Sequence, residues 1–136
     1  MKQLYPIMLD AFKDGKSFTF PINGTSMQPL LHTGDTVTVI NQKGYEVGDI
    51  VLYLRADGSF VLHRVRSINK DGSINIVGDH QTAVERNVKP RSIIAGVVSY
   101  SRKGSTKINN LRGFKYNLYK FIVKIKLVRL FFSKVM

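Results

Sequence analysis

Ser26 lies in the run Gly24-Thr25-Ser26-Met27-Gln28-Pro29, and His63 follows thirty-seven residues later in Val61-Leu62-His63-Arg64-Val65, a strand-like segment. A serine hydroxyl is a weak nucleophile until a base takes its proton and donors hold the oxyanion that attack creates. An unperturbed imidazole titrates near neutral pH and can both accept and return a proton, whereas a lysine base would first need strong desolvation. Glycine and proline around the serine suit a sharp exposed turn. The pair reads as serine-peptidase chemistry, with Ser26 as nucleophile and His63 as base, and an ordinary imidazole would put the acid limb of activity near about 6.5.

Taken singly, these residues have plainer readings. Ser26 follows Asn23-Gly24 and suits a turn or cap. His63 alternates with Val61 and Val65, as a hydrogen-bonded core histidine on one strand face would. Asp79 after Gly78 is an ordinary turn residue, and Glu85 before Arg86 an ordinary surface charge.

The order of the motifs tips the balance for the first two. Gly24-x-Ser26-Met27 is followed by Gly34-Asp35-Thr36-Val37, Gly48-Asp49-Ile50-Val51, His63-Arg64-Val65 and Gly78-Asp79. This set resembles the signal peptidase I and LexA superfamily of serine peptidases over roughly residues 20 to 98. The histidine at position 63, where other branches carry lysine, is similar to the endoplasmic-reticulum and archaeal branch. In that branch an acidic residue six positions after Gly-Asp orients the histidine; here that position is Glu85, one methylene longer than the family's Asp. The resemblance therefore leaves the third member open between Asp79 and Glu85. It also implies an oxyanion hole. Many bacterial members place a serine hydroxyl two residues before the nucleophile, where this chain has Gly24. The Ser26 amide and a neighbouring amide, from the Gly24, Thr25 and Met27 turn, are left for that role, with the Thr25 hydroxyl as a lesser contributor.

These residues need elements to hold them. Ser17–Phe20, Thr36–Ile40, Ile50–Leu54, Ser59–Val65, Ile74–Val77 and Ile93–Tyr100 read as short strands, divided by turn pairs such as Asp57-Gly58 and Asp71-Gly72. The expected class is mainly β: antiparallel sheets or a partly closed barrel of the signal peptidase and LexA type. Leu4, Tyr5, Met8, Ala11 and Phe12 fall on one face of a short N-terminal helix ending near Gly15. Residues 1 to 25 hold no apolar span and no secretory h-region, unlike usual signal peptidases. This suggests a cytoplasmic protein, or one peripheral at the inner membrane surface.

The chain has 136 residues, 43% hydrophobic, enough for one modest core without covalent staples. With no cysteine, disulfides, thiolate zinc sites and a cysteine nucleophile are excluded. His32, His63 and His80 lack ligand spacing, so neither metal nor cofactor is expected. The net charge of +12 is concentrated in residues 101 to 136, which hold ten Lys or Arg and no Asp or Glu. The sequence divides into a peptidase domain, 1–100, and a basic tail, 101–136, comprising a linker, Ser101 to Asn110, and an amphipathic helix, Leu111 to Met136. On that helix Phe114, Leu118, Phe121, Ile125, Val128 and Phe132 share a face. A basic amphipathic helix suits an anionic membrane surface or a partner; packing back on the core and polyanion binding are the other readings, but nothing supplies a groove-reading fold for specific nucleic acid.

The function expected is an endopeptidase that cleaves a leader or signal segment from a peptide or protein substrate through an acyl-enzyme. Two other readings stand beside it. One is a non-catalytic membrane- or peptide-binding module on the same fold. The other is a LexA-like self-cleaving switch, against which count the short segment before Ser26 and a sole Ala-Gly pair, Ala95-Gly96, in an expected strand. Cleavage motif, substrate-binding residues and oligomeric state are not legible.

Overall fold

The computed structural model describes residues 1–111. An N-terminal helix, α1 (Tyr5–Lys13), precedes eight strands: β1 (Phe18–Pro21), β2 (Thr36–Ile40), β3 (Ile50–Leu54), β4 (Phe60–Ile68), β5 (Ile74–Val77), β6 (Glu85–Val88), β7 (Ile93–Ser101) and β8 (Asn109–Asn110). They form one antiparallel sheet in the order β1-β2-β7-β3-β4-β5-β6, with β8 continuing along β7, and the sheet does not close. The fold is mainly β, as expected, with a short helix at its start.

The strands arise where β-branched and aromatic residues run between glycine turns. Asp57-Gly58 and Asp71-Gly72 both turn the chain: each glycine has a φ of +87°, which costs glycine little, and each aspartate caps the serine two residues on. Helix α1 ends where Gly15 takes a φ of +70° and its amide closes on the Phe12 carbonyl. The helix buries Met8 completely against β1 and its neighbours, a burial that contributes about 1.5–3 kcal/mol.

Alternate residues of a strand face opposite sides of a sheet, and β3 is buried on both. Ile50 and Leu52 join a core with Met8, Phe20, Leu31, Val37, Val39 and Ala95, while Val51 and Tyr53 join a second with Val65, Ile74, Ile76 and Ile93. The second core lies beneath His63, which is paired with Val51 across the β3–β4 ladder.

Two strands lie outside the sequence expectation. The Glu85–Val88 run carries charge without alternation, and it pairs with β5 through a shifted register. Asn109 and Asn110 pair with Tyr100 and Ser99, so the segment expected as a linker returns to the sheet. Arg102 donates to the buried Asp35 carboxylate at 2.6 Å and the Lys103 amide does so at 3.1 Å, fastening that segment over the loop before β2. Leu111 completes the first core. The helix expected over Leu111–Met136 otherwise lies outside the described residues. No helix among the described residues is long and apolar enough to cross a membrane.

Candidate active site

Ser26 begins a turn, Ser26–Leu30, within the long loop from β1 to β2. The loop is closed at its base, where the Ile22 amide donates to the Asp35 carbonyl and the Gly34 amide to the Ile22 carbonyl. Gly24 has a φ of +110°, a backbone that side chains rarely tolerate, and it exchanges hydrogen bonds with the Thr33 hydroxyl through both its amide and its carbonyl. On the other side, Met27, Leu30 and Leu31 sink into the first core. The Gln28 amide bonds the Thr25 carbonyl and the Leu31 amide the Met27 carbonyl, which closes the turn around a cis Gln28–Pro29 peptide bond. Among the described residues no group accepts the Ser26 or Met27 amide, which leaves both available to an oxyanion.

His63 is supplied by β4 and is only 4% exposed. It shares a cleft of about 270 Å³ with Ser26, lined also by Asn23, Arg55, Phe60 and Gln81. Gly78 makes the approach between them possible. A Cβ on that residue would lie 2.5 Å from the Ser26 carbonyl oxygen and 3.1 Å from His63 Nε2, so the serine loop and the imidazole meet over a bare backbone. Two residues on, the His80 amide donates to the Ser26 carbonyl at 2.9 Å, tying the turn after β5 to the serine loop. Three distant pieces of chain are thereby joined at one point. His80 itself is exposed and His32 bonds the Pro29 carbonyl, so neither joins this cleft.

The two acidic candidates occupy different places. Asp79 is buried beneath the site, and Arg64 grips its carboxylate through two hydrogen bonds, at 2.7 and 2.8 Å, while also donating to the Gly48 carbonyl. Glu85 stands at the cleft's side in an ion pair with Arg55. The resemblance implies that one of the two orients His63. The group that His63 Nδ1 meets directly is the Tyr53 hydroxyl, at 3.3 Å. Tyr53 is the residue that sequence reasoning missed, because an aromatic in an apolar strand reads as core.

Burial, aided by the Arg55 cation, lowers the His63 pKa to about 4, against the opposing pull of Glu85 and Asp79. The imidazole is therefore neutral at pH 7, with a free lone pair on one nitrogen. Its basicity is well below the ordinary imidazole range assumed from the sequence.

A second hollow of about 490 Å³, lined by His80, Gln81, Thr82, Ala83, Val84 and Glu85, adjoins the first through Arg55 and Gln81. Phe60–Leu62 of β4, which line the first cleft, extend beyond the end of β5 and have a strand neighbour only on the β3 side. A serine on a rigid turn, a neutral imidazole and a bare strand edge are what acyl transfer from an extended peptide requires.

A search of curated proteins found no match to the chain. The family model described as Peptidase S24-like matches residues 2–98, which takes in the whole serine loop, His63 and the turn after β5, and on that match the chain belongs to this family of serine-type peptidases.

Proposed function

We propose that the protein is a serine endopeptidase that removes a leader or signal segment from a peptide or protein substrate, with Ser26 as nucleophile and His63 as general base. The observation that carries this reading is the meeting of the Ser26 loop and His63 Nε2 over Gly78 in a shared cleft. The substrate adds as an extended strand along the free edge of Phe60–Leu62, its main chain satisfying β4 and its side chains entering the adjoining hollows. His63 takes the Ser26 proton as Oγ attacks the scissile carbonyl carbon, and the Ser26 and Met27 amides hold the oxyanion. The imidazolium then protonates the leaving amine. Water, deprotonated by His63, attacks the ester and frees Ser26. Asp79 serves the base through its charge and by holding Arg64, and the cationic tail, Leu111–Met136, keeps the enzyme at an anionic membrane surface.

A serine-directed phosphonate tests the chemistry. It should label the wild-type protein at Ser26, fail on Ser26→Ala and react far more slowly with His63→Ala. Co-encoded precursor peptides should be cut by the wild type alone. The weak basicity of His63 favours one competing reading, a cleft that binds peptides without cutting them. Peptide binding with no phosphonate adduct would establish that alternative.

A further inference from the structure

We infer that Tyr53 is a positioning residue standing between the imidazole and its carboxylate, so that His63, Tyr53 and Glu85 form a relay in which Arg55 balances the terminal charge. This rests on reading His63 as the base of Ser26.

Tyr53 and His63 lie on the same face of neighbouring strands, because Val51 pairs with His63 and Tyr53 with Val61. They are diagonal neighbours, with ring centroids 6.1 Å apart and Nδ1 to hydroxyl at 3.3 Å. Both are shut away from solvent, Tyr53 at 1% and His63 at 4% exposure, so water cannot readily substitute for either partner. Beyond the phenol stand Glu85 and Arg55, which pair with each other; burial raises the Tyr53 pKa most, the nearby Glu85 carboxylate raises it further, and the Arg55 cation opposes both.

The direction of the relay follows from counting protons. A phenol has one hydrogen to give, and an ionised carboxylate can only accept. With the Tyr53 hydrogen directed at Glu85, the phenol oxygen offers a lone pair to Nδ1, which must then carry the ring hydrogen. The other nitrogen, Nε2, is left bare, and Nε2 is the atom beside the Ser26 loop. The opposite tautomer would turn the Tyr53 hydrogen to Nδ1, give up Glu85, and present an N–H to the serine, which cannot deprotonate it. During acylation the Ser26 proton moves to Nε2. The Nδ1 hydrogen stays in place, donating to Tyr53, so no proton travels along the relay.

The tautomer can be read without turnover, from the ¹⁵N shifts and long-range ¹H couplings of the His63 ring at neutral pH. Wild-type protein should show the hydrogen on Nδ1. In Tyr53→Phe, which keeps the buried ring, it should redistribute toward Nε2. In Glu85→Gln, a change at a partly exposed site, the redistribution should be smaller but in the same sense. The limiting rate of phosphonate labelling should drop about ten- to a hundredfold in Tyr53→Phe, with the half-saturating concentration unchanged, as expected when only base orientation is lost. An Nδ1 hydrogen retained in both variants, or labelling at the wild-type rate, would overturn the relay and leave Tyr53 as core packing. If the wild type takes no label, the peptidase reading fails by itself, and the ring shifts still decide the relay.

Discussion

At the scale of single residues, the surroundings of His63, the proposed base, make it weakly basic. Acid-limb titration of labelling or cleavage should reveal a group near pH 4, well below the usual imidazole range. Replacing Arg55 by Met removes a cation that lowers this pKa and frees Glu85 to raise it, so the limb should move upward, toward neutrality. The same group makes a statement about stability. The unfolded chain takes a proton on this histidine below about 6.5, while the folded one resists until about 4, so stability rises with pH across that window and falls as the pH drops through it. About 3 kcal/mol is at stake, and thermal melts of His63→Gln should show a flatter profile between these limits. That Ser26 and His63 would share one cleft was legible in the sequence, because their motifs stand in order. Tyr53 was not, since its role depends on a diagonal contact across two strands that only the register reveals. Asp79 and Glu85 could not be told apart by spacing, because what separates them is which arginine each one meets.

At the scale of elements, the site is a junction between the serine loop, β4 and the turn after β5, and two kinds of damage to it should be separable. Gly78→Ala puts a methyl group against the Ser26 carbonyl and His63 Nε2, which should cost about 1–3 kcal/mol by overpacking while abolishing labelling. Asp79→Ala strands the buried Arg64 and should cost more, about 3–5 kcal/mol by chemical denaturation. If Gly78→Ala labels normally, the junction is not where the nucleophile is poised. The strands β2, β3 and β5, rich in β-branched or other apolar residues, matched their sequence boundaries. Strands β6 and β8 did not announce themselves, for the runs Glu85–Val88 and Asn109–Asn110 carry no apolar period. They become strands because a neighbouring edge offers their backbone partners.

At the scale of the molecule, the described fold runs past Ser101, where the sequence suggested that a linker begins. A chain ending at Ser101 loses Leu111, worth about 2 kcal/mol of burial, and leaves the buried Asp35 without Arg102 and Lys103. Its melting temperature should fall by about 10 °C or more, given the usual sensitivity of a domain this size. A chain ending at Leu111 should melt like the full protein, yet lose the co-sedimentation with anionic liposomes that the full protein is expected to show. Equal melting of the two truncations would mean that the returning segment contributes nothing. The overall class was legible from turn spacing and composition, while this boundary was hidden in the partners of a single buried aspartate.

The half-bare rim of β4 has one more implication. Backbone amides and carbonyls greet any extended visitor alike, so a rim that welcomes a precursor can equally welcome a sister molecule's rim or a frayed stretch of some bystander. Discrimination must then come from the cleft beside it, and crowding of copies would act as a brake on the proposed peptidase.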